Sequence, residues 1–74
     1  MSSRKNTGRR EAARFALRSH AWAKGDAIGE DEYSIIDLLA DLRHFCEAED
    51  LCFASLDRIA YAHYVAERRN GGEP

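Results

Sequence analysis

The sequence predicts an all-α fold, a small antiparallel three-helix bundle. Apolar residues recur at helical spacing in three separate stretches, and no stretch alternates apolar with polar residues as a half-buried strand does. Only one proline and five glycines occur in 74 residues, which leaves little chain for loops. A chain of this length forms one domain with a small core. Its apolar share of 45% beside 32% charged residues is that of a folded chain rather than a disordered one.

The first helix is expected over about 9–24, with residues 1–8 as a basic, flexible tail. Ala12, Phe15, Ala16, Ser19, Trp22 and Ala23 share one face, and Arg10, Arg14 and Arg18 lie opposite. Asn6 or Thr7 is placed to cap its start and Gly25 to end it. Phe15 and Trp22 are the side chains expected to dock this helix, on the hairpin of the other two or on a second subunit.

The second helix is expected over about 32–49, after the loop GDAIGED, with Asp31 as its cap. Ile35, Leu38, Leu39, Leu42, Phe45 and Cys46 follow an i, i+3, i+4, i+7 progression and form its buried face. Asp37, Asp41, His44 and Glu47 fall on the far side, toward water or a partner. The third helix is expected over about 53–70, with Ser55 as a cap. Phe53, Leu56, Ile59, Ala60, His63 and Tyr64 form its inner face, and Gly71-Gly72 with Pro74 marks a flexible end over 71–74.

The segment DLRHFC, residues 41–46, sets an acid, a base, a histidine and a thiol close together in sequence. Helical spacing separates them, with Cys46 on the inner face and Asp41 and His44 on the outer. They therefore form no compact site. Asp37, Asp41 and His44 do share a stripe at i, i+4 and i+7, but no Glu-x-x-His pair on another helix completes a metal centre. No metal or other cofactor is expected. His63 reads as a core histidine with a satisfied ring, and His20 stands alone. Cys46 and Cys52 are six apart, a spacing unlike CxxC or common zinc-finger pairs, and read as free structural thiols. A phosphate loop, a dinucleotide fingerprint and a nucleophile elbow are all absent, which points away from an enzyme.

Charge is segregated. Residues 1–25 carry seven basic side chains against Glu11 alone, and residues 26–67 carry eleven acids against Arg43 and Arg58. The first block offers Arg9, Arg10, Arg14 and Arg18 as a phosphate-binding ridge for nucleic acid. The second offers Glu30, Asp31, Glu32, Asp37, Asp41 and Glu47, with carboxylates about 5–6 Å apart per helical turn, as an acidic surface for the basic groove of a partner protein. Tyr61, with Arg58, Arg68 and Arg69 nearby, has the composition of a contact surface, for a partner protein or a homodimer. The start SSRKNTGRR lacks the apolar run of a secretion signal and no stretch is long enough for a membrane span, so a cytoplasmic protein without membrane contact is expected.

At DLLADLRHFC (37–46) and LDRIAYAHYVAE (56–67) the sequence resembles small helical proteins of bacterial plasmids and phages, over residues 33–67. That group has no established activity, so no residue role carries over. The resemblance implies a bacterial or phage setting, and a protein that blocks a host defence or regulatory protein, as anti-CRISPR inhibitors do. Protein binding through the acidic surface is thus the first reading, and nucleic-acid binding through the basic helix the alternative.

Overall fold

The computed structural model describes residues 2–27 and 29–71, with side chains described over 7–27 and 29–69. It contains three helices, α1 (Ser2–Lys24), α2 (Asp31–Ala48) and α3 (Phe53–Gly71), and no strand among the described residues. Each helix touches the other two. The all-α, three-helix expectation holds. Helix α1 begins seven residues before the expected position, so its backbone includes most of the segment read as a tail. The side chains of Arg4 and Lys5, and residues 72–74, lie outside the described residues.

The helix ends follow from local chemistry. Gly25 takes φ 77°, its N–H donates to the Trp22 carbonyl at 3.0 Å, and the Asp26 N–H donates to the Ala21 carbonyl at 2.9 Å. This paired closure is the Schellman arrangement, and glycine enters its left-handed position without a Cβ penalty. Helix α2 closes the same way with a less suited residue: Asp50 has φ 60°, Asp50 N–H donates to Glu47 and Leu51 N–H to Cys46. At the start of α2 the extended residue is Glu30, and Asp31 stands inside the first turn with Glu32. Asp31 is therefore not the cap; it favours the helix through the positive end of its dipole. Ser55 also lies inside its helix, two residues after the start of α3.

The interior is smaller than the periodicity implies. Among the described residues, Ala21 and Cys46 are the buried apolar ones, with Leu17, Leu38, Phe53 and Val65 half-buried. The expected core residues Ile35, Leu39, Leu42, Phe45, Leu56, Ile59 and Ala60 are exposed, as is His63. Phe15 and Trp22 do not dock α1 on the hairpin of the other two helices either, being 73% and 83% exposed. The reason lies in which stripe of α2 meets α1. Ser34, Asp37, Leu38 and Asp41 are half-covered, and this stripe lies about a third of a turn round the helix from Ile35, Leu39 and Leu42. The result is a flat body, 36 × 29 × 16 Å across its Cα atoms, with one apolar stripe of α2 left open.

Candidate protein-binding surface

The contact between α1 and α2 is a charged seam. Lys24, in the last turn of α1, places Nζ 3.0 and 2.9 Å from the two carboxylate oxygens of Asp37 and 3.0 Å from Oδ2 of Asp41. His20, one turn earlier, places Nε2 2.7 Å from the same Asp41 oxygen. Hydrogen bonding to Lys24, then to His20, holds the Asp41 carboxyl below its ordinary range. The carboxylates of Asp37, then Asp41, raise the Lys24 ammonium well above its own. Arg14 Nη1 to Asp31 Oδ2, at 4.0 Å, is a looser pair nearby, and Arg9 Nε to Glu67 Oε1, at 3.1 Å, joins α1 to α3.

These contacts correct three expectations. Asp37 and Asp41 do not point away toward a partner, because α1 covers them. His20 does not stand alone. The stripe Asp37, Asp41, His44 is not assembled: His44 is exposed, and His20 takes its place beside the two aspartates. One ligand atom from each of His20, Asp37 and Asp41 lies within 4.8 Å of the others. The Lys24 ammonium already offsets one of the two carboxylate charges at that point. Charge segregation carried the signal for this seam, since a basic first helix followed by an acidic second one favours their mutual pairing.

About a third of a turn round α2 from the seam lies an open apolar groove shared with α3. Leu39, Leu42, Cys46, Phe53, Leu56 and Ala60 line it, with Asp57 as its one charged residue. Arg43 stands over the Phe53 ring, its guanidinium carbon 4.4 Å from the ring centre. Thus Asp41, Arg43, His44 and Cys46 of the reactive-looking segment serve a seam, a ring contact, the solvent and the interior respectively.

Of the acidic residues proposed for contact, Glu30, Asp31 and Glu32 are exposed at one end of α2 and Glu47 at the other, where Glu49 and Asp50 are also exposed. The basic ridge is partly engaged within the chain, through Arg9 and Arg14. Arg10 donates to the Thr7 hydroxyl at 3.1 Å, and Arg18 is exposed. Tyr61 lies 6.1 Å from Tyr64, and Arg68 stands over the Tyr64 ring at 5.8 Å.

Cys52, immediately before α3, is exposed, whereas Cys46 is buried. The Ser55 hydroxyl donates to Cys52 Sγ at 3.3 Å. That bond, together with backbone N–H groups of Ser55 and Ala54, lowers the pKa of the thiol. No described helix is long and apolar enough to cross a membrane. No family model, curated protein or solved structure matches the chain.

Proposed function

We propose that this is a non-enzymatic, cytoplasmic protein that binds a partner protein through the acidic ends of α2. The observation that supports this reading is an imbalance left by folding. Arg9, Arg14 and Lys24 are drawn into ion pairs with acids of α2 and α3, while Glu30, Glu32, Glu47 and Glu49 remain exposed. The surface so formed suits a basic partner site, since complementary charge steers encounter and suppresses wrong partners. Asp37 and Asp41 hold α1 and do not belong to the contact. The resemblance to plasmid and phage proteins supports a setting in which that partner is a bacterial defence protein, as for an anti-CRISPR inhibitor.

The test is capture of partners from bacterial lysate by the tagged chain, with and without nuclease, using wild type beside Glu32→Lys/Glu47→Lys. A stoichiometric protein that survives nuclease and is lost with the charge-reversed variant, at unchanged far-ultraviolet circular dichroism, supports the reading. Retention of that protein by the variant overturns it. The alternative, nucleic-acid binding, is favoured by the exposure of Arg10 and Arg18 along α1. It requires an affinity that falls steeply with salt and is weakened by Arg10→Ala/Arg18→Ala.

A further inference from the structure

We propose that the apolar groove between α2 and α3 is the interface of a homodimer, covered by the same groove of a second copy of this chain. This proposal is independent of the acidic-surface reading, because it rests on the apolar residues shared by α2 and α3 and not on the carboxylates at the ends of α2.

The chain as a whole exposes more surface than a compact monomer of its mass. The chain exposes 6244 Å², whereas a compact monomer of 8.4 kDa exposes about 4,600 Å². The difference is about 1,600 Å², and a stable interface needs about 800 Å² from each partner. The excess over the whole chain is thus about twice the area that such an interface takes from one partner. The radius of gyration, 14.0 Å, likewise exceeds the value of about 11 Å for a compact chain of this length.

The groove's chemistry selects a like surface. Leu39, Leu42 and Leu56 are 44%, 40% and 46% exposed, and Ile35 and Ile59 continue their stripes along α2 and α3 by helical spacing. Each is half-covered by its own chain and needs one more layer. A two-fold pairing sets apolar side chains of one groove against those of the other, with Asp57 at the margin near water. Such a contact is isologous and closes at two subunits. It also adds to a small core: among the described residues Ala21 and Cys46 are the buried apolar ones, and a chain of this size with so little interior gains stability from oligomerisation.

The experiment is light scattering on the size-exclusion eluate of the full chain, with melting followed by circular dichroism over about a hundredfold range of protein concentration. The expected mass is twice 8.4 kDa, and the expected Tm rises with each tenfold increase in concentration, because dissociation accompanies unfolding. Leu39→Glu/Leu56→Glu is expected to elute as a monomer or to unfold with a Tm independent of concentration. Glu47→Lys, which lies off the groove stripe, keeps the dimeric mass whatever it does to partner capture, so the two proposals fail separately. A wild-type chain of monomeric mass with a concentration-independent Tm overturns the proposal. Co-sedimentation of that monomer with phosphatidylcholine vesicles would assign the groove to a lipid surface and overturn it equally.

Discussion

The Nε2 atom of His20 lies 2.7 Å from Oδ2 of Asp41, a contact between residues 21 positions apart that joins the last turns of α1 to the middle of α2. Lys24 shares the same oxygen at 3.0 Å. The position of α1 thus depends on the charge state of a few side chains.

That dependence sets a pH window. Asp41 has a pKa lowered by folding, so its contribution is present above its unfolded value of 3.8 and is lost as pH falls through the folded value. Lys24 has a pKa raised by folding, so its contribution is complete below 10.5 and is lost as pH rises through the folded value. The seam is intact between these limits. Melting profiles against pH are expected to be flat across neutrality and to fall at both extremes. Asp41→Asn lowers the plateau and makes the acid limb shallower. An acid limb unchanged in Asp41→Asn would show that the seam does not hold α1. High salt is expected to weaken the wild-type seam, since the pair is about one-third exposed and therefore screened.

Two helix ends with the same geometry give opposite predictions. Asp50 bears a left-handed φ of 60° with a Cβ, so Asp50→Gly relieves strain and is expected to stabilise the chain by about 0.5–1 kcal/mol. Gly25 already occupies the equivalent position of α1 at φ 77°, and Gly25→Ala is expected to cost about 1 kcal/mol. Urea denaturation at fixed protein concentration measures both. A loss of stability in Asp50→Gly would mean that the aspartate side chain supports the turn.

The elements themselves were legible in the sequence. Gly25 marked the end of α1, and the period of Ile35, Leu38, Leu39 and Leu42 located α2 to within a residue at each end. Helical period states which residues share a face, but not which neighbour that face meets. The stripe Asp37–Asp41 read as a solvated surface because nothing in its own helix pairs with it. Its partners, His20 and Lys24, lie on another helix and are identified only by the opposite charge of the two segments. The same ambiguity made Leu39, Leu42 and Leu56 read as the interior of one chain. An apolar stripe has the same pattern whether its own chain or a second copy covers it.

The two cysteines are expected to differ in reactivity. Cys52 is exposed, and Ser55 with the first turn of α3 favours its thiolate, so at neutral pH a larger fraction is nucleophilic than in an ordinary thiol. Cys46 is buried between α2 and α3. Iodoacetamide followed by mass spectrometry should show one rapid modification, at Cys52, and a second only under unfolding conditions. Ser55→Ala, which removes the hydroxyl donor, is expected to slow the first. Equal rates at the two thiols in the folded chain would contradict this placement.

Ala21 offers the sharpest test of how closely α1 approaches the start of α2. It is buried beside Leu17, Arg18, Gly29 and Ser34, where the chain leaving α1 comes back to begin α2. A small residue is needed because His20 and Lys24, its neighbours on the helix, must come within hydrogen-bonding distance of Asp41. A larger side chain pushes the helices apart and breaks those short contacts. Ala21→Phe is therefore expected to cost about 1–3 kcal/mol through overpacking, and to abolish the pH dependence that Asp41 confers. The effects of Ala21→Phe and Asp41→Asn should not add, since each removes what the other needs. Full additivity in the double variant, measured by denaturation at one pH, would place Ala21 outside the seam.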